Sequence, residues 1–272
     1  MSVAWVLNLD AEVELGGGRL GAAAARRMEA VRRALALPAG HVVLDVDADA
    51  GARGLPGRAW CPTPSALARL ARAGALVPEA PPIEVVRRVN ARGFAHDLVA
   101  LPGTVACDDL DAVRAAASRP GRWLLFRAFT FAGRGQRRVD AGAWDAGAEA
   151  WARSALAAGP VYVLPRVAIE LECALHGALA PDGSLRVGRP TVAEVDAAGQ
   201  WQRSRLAGDD LGESEQAALR RAFERVAESL HGAGYFGPFG IDAFRHAEGF
   251  HPLSEINARY SMGWPVGMGG WA

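Results

Sequence analysis

The 272-residue sequence contains no lysine, so arginine supplies all 30 of its basic side chains. Asp and Glu also total 30, which leaves a formal net charge of zero at pH 7. A balanced charge argues against a protein held to nucleic acid or to an anionic membrane by electrostatic attraction. We therefore expect neither nucleic acid nor a membrane among its partners. A site that would normally bind phosphate through lysine has only the planar, forked guanidinium of arginine, and the two are not interchangeable there.

Cysteine and long apolar runs are also scarce. Cys61, Cys107 and Cys173 are far apart, and no C-x-x-C spacing exists, which supports neither a zinc site nor a disulfide framework. No apolar run reaches the roughly 18 residues that a membrane-spanning helix needs. The first residues lack the basic region and small-residue cleavage site of a signal peptide. We expect a cytoplasmic protein.

The first part of the chain alternates short apolar strands with amphipathic helices. Strands are predicted at 3–9 and 42–46, and helices at 20–37 and 62–73. Strands that alternate with helices favour a small parallel α/β lobe, which we expect to occupy residues 1–82 and to end at the proline-rich stretch there.

The remaining chain mixes helices with antiparallel hairpins, so the predicted fold class combines α/β and α+β. Helices are predicted at 83–98, 108–117, 144–157 and 214–231, and strands at 123–126, 138–139, 161–167, 170–179 and 185–187. We expect two further units, at 83–158 and 159–272.

The most informative stretch lies near the C-terminus. Asp242 sits in an apolar strand-like segment, and a polar turn separates it from Glu255, Asn257 and Arg259. Alternate residues of a strand share a face, so Glu255, Asn257 and Arg259 are predicted to point the same way. Two carboxylates and an amide oxygen suit Mg²⁺, which prefers hard oxygen ligands. The same spacing also fits the solvated face of an antiparallel sheet, without any metal.

A second stretch combines a strand that carries Arg127 with the glycine-rich turn Gly133, Arg134 and Gly135. Glycine lets backbone N–H groups approach an anion, so this turn could fold over phosphates. It lacks the spacing and the lysine of a P-loop. An ordinary hairpin turn would use the same residues.

The segment from Gly234 to Tyr260 resembles the last two strands of the ATP-grasp superfamily, where a G-x-D strand and an E-x-N-x-R strand carry the metal ligands. The resemblance extends over roughly residues 89–264, and the lobe before it resembles a pre-ATP-grasp domain. It implies an ATP-grasp fold with an N-terminal pre-ATP-grasp α/β lobe. Asp242, Glu255 and Asn257 would be the metal ligands.

The resemblance also implies roles for several other residues. Arg127 takes the position of the family's phosphate-binding lysine, followed by the loop Gly133 to Gly135, and Arg259 would stabilise charge on the transferring phosphoryl group. Further ATP contacts would come from Arg92, from the adenine-binding linker strand with Leu164 and Val167, and from Glu172, which contacts ribose or metal. A solvated helix face explains Arg92 equally well, and an exposed strand position is the simpler explanation for Glu172. In the linker strand, Leu164-Pro165-Arg166 replaces the family's usual glutamate.

The implied activity is an ATP- and Mg²⁺-dependent (or Mn²⁺-dependent) ligation. A small-molecule carboxylate attacks the γ-phosphoryl group of ATP, and an amine captures the acyl phosphate. Two other functions stay open, a catalytically weak or inactive ATP-binding module and an ATP-grasp kinase. The sequence leaves the oligomeric state open, with a homodimer as the common default.

Overall fold

The structure is a computed structural model that describes residues 2–18, 26, 28–29, 31–32, 35, 37–44, 51–131, 134–140, 142–195 and 201–271, with only the backbone of residues 131 and 134. Its helices are α1 (Ala11–Leu15), α2 (Pro64–Arg72), α3 (Ile83–Asn90), α4 (Arg92–Leu98), α5 (Leu110–Ala117), α6 (Ala146–Leu156), α7 (Glu213–Gly232) and α8 (Trp264–Met268). Among these ranges, no helix combines the length and the apolar character needed to cross a membrane. The cytoplasmic location stays a prediction.

Within the described residues, the strands form three sheets. They are β1 (Ala4–Val6), β2 (Val42–Val43), β3 (Gly57–Ala59), β4 (Val105–Cys107), β5 (Arg122–Phe131), β6 (Arg134–Asp140), β7 (Val161–Pro165), β8 (Ile169–Leu179), β9 (Leu185–Val187), β10 (Thr191–Val195), β11 (Trp201–Leu206), β12 (Gly237–His246) and β13 (Gly249–Asn257).

The first sheet is parallel, with the order β2-β1-β3. Helix α2 covers it with Ala66 and Leu70, which pack with Ala4 and Val6 in one buried cluster. The parallel α/β lobe predicted for the start of the chain is therefore confirmed. Most of the predicted helix at 20–37, and residues 45–46 of the predicted second strand, lie outside the described residues.

The second sheet is antiparallel, with the order β4-β7-β5-β6. Helices α5 and α6 cover one face with small residues, chiefly alanines, against Trp123 and Val163. Each helix begins at an aspartate that caps it: Asp109 accepts from the backbone N–H of Ala112 at 2.8 Å, and Asp145 caps α6 in the same way. Strand β7 belongs to this sheet, although it lies beyond the boundary predicted at residue 158.

The third sheet is antiparallel, with the order β11-β10-β8-β12-β13, and β9 pairs with β8 at one end. Helix α7 buries one face, and its Phe223 ring stacks on Phe239 of β12 with centroids 4.4 Å apart. Phe239, Ile241 and Ala243 all point into this core. Because side chains alternate along a strand, Asp242 lies on the opposite face.

One predicted helix is wrong in extent. Residues 83–98 form two helices, because Ala91 adopts an extended backbone (φ −73°, ψ 139°). The Asn90 side chain explains the break: it donates to the Val86 carbonyl at 2.8 Å, and its oxygen accepts from the N–H of Ala258 at 2.9 Å. A contact with the distant C-terminal segment therefore ends α3, which apolar periodicity could not reveal.

Other strands differ from the predictions. The strand predicted at 123–126 is part of the longer β5, and the return strand predicted at 138–139 is part of the longer β6. Strands β3, β4, β10 and β11 were not predicted. These strands have three to six residues each, and their pairing partners decide their conformation more than their own sequence does.

Candidate functional site

Asp242 and Glu255 lie directly opposite each other on β12 and β13. Asn257 is opposite Gly240 in the same pairing, so its amide stands next to the carboxylates on the face away from α7. The Asn257 Nδ2 donates a hydrogen bond to Asp242 Oδ2 at 2.8 Å. The structure thus brings together the three side chains predicted as metal ligands.

The pair of carboxylates is electrostatically unfavourable without a cation. Desolvation of the partly buried Asp242 carboxyl, together with the nearby charge of Glu255, raises the pKa of Asp242 to about 7. Glu255 is more open, with 40% of its side chain exposed. The site therefore has a shielded carboxyl at its base and an accessible one at its mouth.

Arg92 reaches this pair from the first position of α4. Its Nη2 lies 3.6 Å from Glu255 Oε1 and donates to Thr130 Oγ1 at 3.2 Å, and Thr130 in turn donates to Glu255 at 3.3 Å. The guanidinium stacks over the Phe126 ring, 4.1 Å from its centroid. The break at Ala91 places Arg92 at the start of a new helix. The structure thus fixes Arg92 beside a predicted metal ligand.

Arg259 does not continue the face of β13, so that expectation is wrong. The strand ends at Asn257, and the Arg259 N–H donates to the Asn257 carbonyl at 2.8 Å, which turns the chain. The Arg259 Nε donates to Glu12 Oε1 of α1, and its Nη1 donates to the Tyr260 carbonyl. Burial lowers the pKa of Arg259, but Glu12 and its other acidic neighbours outweigh burial and raise it overall.

Glu12 is the site residue that sequence reasoning missed. It is 5% exposed and belongs to a five-residue helix in the first lobe, far from the C-terminal motif in the chain. Its local pattern, with Glu14 two positions later, is that of any short polar helix. Only the fold shows that it meets Arg259.

Arg127 is not directed at the carboxylates. Its guanidinium donates to the Ser154 carbonyl at 3.0 Å and to Ser154 Oγ at 3.2 Å, and it stacks over Trp151 of α6. That it clamps phosphate stays a prediction.

The strands on either side of the glycine-rich turn pair antiparallel. Phe131 pairs with Arg134, and Gly135 has a positive φ of 84°. Gly133 lies outside the described residues. A role of this turn in phosphate binding stays a prediction.

The other predicted nucleotide contacts are spread around the sheet junction. Leu164 pairs with Leu124 at the centre of the second sheet, and Val167 lies in the short connection to β8. Glu172 stands exposed on the same face as Asp242, opposite Phe244, and partial desolvation raises the pKa of its carboxyl. These positions frame the connection between the two sheets, and their roles stay predictions.

The donor set fits a hard divalent cation in its chemistry. Two carboxylates and an amide stand side by side, and the like charges of Asp242 and Glu255 call for a positive partner. Within the described ranges, no group of three or more His, Cys, Asp or Glu side chains is placed to hold a metal ion. A bound cation would therefore complete its coordination with phosphate oxygens or water, as Mg²⁺ does at nucleotide sites.

Comparisons with solved structures identify the fold. The match to D-alanyl-alanine synthetase A from Vibrio cholerae covers 98% of this chain and 93% of that protein, at 13% identity and a TM-score of 0.60. The match to N5-carboxyaminoimidazole ribonucleotide synthetase from Thermus thermophilus covers 95% of this chain and 71% of that protein, at 16% identity and a TM-score of 0.56. The match to the Staphylococcus aureus N5-carboxyaminoimidazole synthetase complexed with ADP covers 96% of this chain and 70% of that protein, at 9% identity and a TM-score of 0.58.

These proteins have the ATP-grasp fold, and the match covers nearly the whole of this chain, so the predicted fold is confirmed. No model of a protein family matches the sequence, and no curated protein matches it.

Proposed function

We propose that the protein is an ATP-dependent ligase that uses Mg²⁺ (or Mn²⁺) to join a small-molecule carboxylate to an amine. The observation that carries the proposal is the pairing of Asp242 with Glu255, beside Asn257, on the face away from α7 of a sheet in an ATP-grasp fold. Two like charges directly opposite each other destabilise a sheet. A merely solvated sheet face gives no reason for such a pair, whereas a cation-binding site does.

In the proposed reaction, an oxygen of the substrate carboxylate attacks the γ-phosphorus of ATP, and ADP leaves. The amine then attacks the acyl phosphate carbon, and inorganic phosphate leaves as the amide forms. A bound divalent cation supplies positive charge to the phosphate oxygens. The protein contributes mainly by positioning and charge neutralisation.

The proposal gives a role to each of five side chains at the site. Asp242, Glu255 and Asn257 would hold the cation. Arg92 keeps Glu255 oriented through its ion pair and through Thr130. Arg259, fixed by Glu12, would present its guanidinium to the transferring phosphoryl group or to the acyl phosphate. We also retain the predicted homodimer as part of the proposal.

Release of ADP tests the reaction. We expect ADP to form from Mg-ATP only when both a carboxylate and an amine are present, in a screen of amino-acid pairs. Glu255→Gln should lower the rate by orders of magnitude, because it removes a cation ligand and leaves the shape unchanged. The matched control is Glu248→Gln, an exposed carboxylate in the turn between the same strands. Equal rates for Glu255→Gln and the wild type would overturn the site assignment.

Arg127 favours a second candidate, an ATP-binding module with little or no catalysis. Its guanidinium is engaged by Ser154 and Trp151 rather than directed at the carboxylates. Both candidates require Mg-ATP to raise the melting temperature. Only the ligase requires ADP release that depends on two further substrates.

A further inference from the structure

A buried histidine joins the third sheet to the chain that follows β13. The Nδ1 atom of His176 on β8 is 3.0 Å from Ser261 Oγ, and its Nε2 atom is 3.2 Å from Thr191 Oγ1. All three side chains are buried. Thr191 Oγ1 donates to the Ala174 carbonyl at 3.5 Å, so it accepts from Nε2 and leaves Nδ1 to accept from Ser261. The neutral imidazole therefore connects β10 to the chain after β13.

Three glycines leave the space that this ring occupies. A Cβ added at Gly240 would lie 2.7 Å from His176 Nδ1, one at Gly263 would lie 2.5 Å from Nε2, and one at Gly267 would lie 2.8 Å from Cδ2. These distances are well below a normal van der Waals contact of about 3.5–4.0 Å. None of the three glycines has a positive φ, so close packing rather than backbone conformation requires glycine there.

His176 lies in the same row of the third sheet as a proposed metal ligand. Gly240 of β12 is opposite His176 on one side and opposite Asn257 on the other. These positions share the face that carries Asp242, because side chains alternate along each strand. The middle position of the row is a glycine, so no side chain of the row stands between His176 and Asn257.

The segment that His176 holds carries Arg259. The Arg259 N–H donates to the Asn257 carbonyl at 2.8 Å, which forms a tight turn just after β13. Ser261 follows Arg259 by two residues, and its hydrogen bond to His176 joins the end of this turn to β8. Because the turn is held at both ends, the direction in which the Arg259 side chain leaves the backbone is fixed.

We propose that His176 is a positioning residue for the reaction and that, through Ser261, it fixes the turn that presents Arg259 to the transferring phosphoryl group. The assignment rests on the proposed function. A displacement of about 1 Å in a group that acts on the reacting atoms lowers a rate by about 100-fold. The hydrogen bond to Thr191 holds the opposite edge of the ring against β10, so its loss should lower stability and leave the turn in place.

Two variants that each remove one partner of the same ring test the assignment. Ser261→Ala removes the hydroxyl on the side of Arg259, and Thr191→Val removes the one on the side of β10 with little change in shape. In the ADP-release assay, Ser261→Ala should lower kcat about ten-fold or more and change KM for ATP by less than about two-fold. Thr191→Val should keep both constants near those of the wild type, although it also loses a buried hydrogen bond.

Amide exchange provides a second readout, which needs no substrate. The Tyr260 N–H donates to the Trp60 carbonyl at 3.0 Å, so it reports on the turn together with the Arg259 N–H. Ser261→Ala should speed exchange at both N–H groups about ten-fold or more, because the turn loses its attachment to β8. Thr191→Val should leave exchange at both groups unchanged.

The outcomes separate this assignment from the proposed function. Three results would overturn the role of His176 while the wild type still releases ADP: a wild-type kcat for Ser261→Ala, equal losses of kcat in the two variants, or wild-type exchange at Arg259 and Tyr260 in Ser261→Ala. A wild type that releases no ADP with any substrate pair would instead overturn the proposed function, and the role of His176 in the reaction with it.

Discussion

Asp242 and Glu255 occupy one cross-strand position of an antiparallel pair, and Asn257 donates a hydrogen bond to Asp242 at 2.8 Å. Like charges directly opposite each other destabilise a sheet. The ion pair between Arg92 and Glu255 offsets part of this repulsion, although 3.6 Å separates the closest atoms. The arrangement therefore weakens the ligand-free fold, which is the premise of the first prediction.

Asp242→Asn should stabilise the ligand-free protein. The change keeps the shape of the side chain and removes a partly buried charge that faces Glu255. We expect the free energy of unfolding at pH 8 to rise by about 1–3 kcal/mol, as an order of magnitude. Urea unfolding with and without Mg-ATP measures it, and Mg-ATP should stabilise this variant far less than the wild type. A loss of stability in the ligand-free variant would contradict the repulsion.

The stability of the fold should fall in mild acid because of His176. Burial lowers the pKa of His176 to about 4, and its ring lies between Thr191 Oγ1 at 3.2 Å and Ser261 Oγ at 3.0 Å. In the unfolded chain the His176 imidazole is protonated with a pKa near 6.5, whereas in the folded protein it is protonated only near pH 4. Stability is therefore lost as the pH falls from about 6.5 towards 4, by up to about 1.4 kcal/mol per pH unit.

The matched variant for this prediction is His176→Gln. It should lower stability at pH 7, and its stability should then depend less on pH between 7 and 5 than that of the wild type. Chemical unfolding at several pH values gives both slopes. Equal slopes of stability against pH for the variant and the wild type would show that protonation of His176 does not cause the loss of stability.

The ion pair between Glu12 and Arg259 should couple the first lobe to the third sheet. Arg259→Met leaves Glu12 buried without its cation, and we expect a loss of about 3–5 kcal/mol in the free energy of unfolding. Glu12→Gln combined with Arg259→Met should be more stable than Arg259→Met alone, because no uncompensated charge remains. A double-mutant cycle measures the coupling. Additive effects of the two changes would contradict a direct interaction.

Asn90 should stabilise the end of β13. Its side-chain oxygen accepts from the N–H of Ala258 at 2.9 Å, and its nitrogen donates to Val86 and Ala258 carbonyls. Asn90→Ala leaves the buried N–H of Ala258 without this acceptor, which should cost about 1–3 kcal/mol. Because Ala258 follows Asn257, Mg-ATP affinity should fall as well. Amide exchange at Ala258 reports the local effect, and unchanged protection there would contradict it.

The grouping of the proposed metal ligands near the C-terminus was predictable because they lie within one hairpin. Asp242, Glu255 and Asn257 are close in sequence, and strand alternation places them on one face. Arg259 broke this pattern because a turn after Asn257 redirects the chain, and its partner Glu12 is 247 positions away. Local periodicity carries no information on such distant contacts.

The same limit explains the differences in the fold. Long periodic segments such as α7 were predicted within one residue at each end, because a single buried stripe defines them. The break at Ala91 and the orientation of Arg127 depend on Ala258 and Ser154, which belong to other elements. Tertiary contacts determine both features.

Calorimetric titration of Mg-ATP into the wild type, Glu255→Gln and Glu248→Gln tests the central claim most directly. The account predicts saturable binding to the wild type and to Glu248→Gln, and at least about ten-fold weaker binding to Glu255→Gln. Binding by the wild type should also weaken strongly when EDTA removes the divalent cation. Equal affinities of Glu255→Gln and the wild type, or binding that is indifferent to the cation, would contradict a metal and nucleotide site at Asp242 and Glu255.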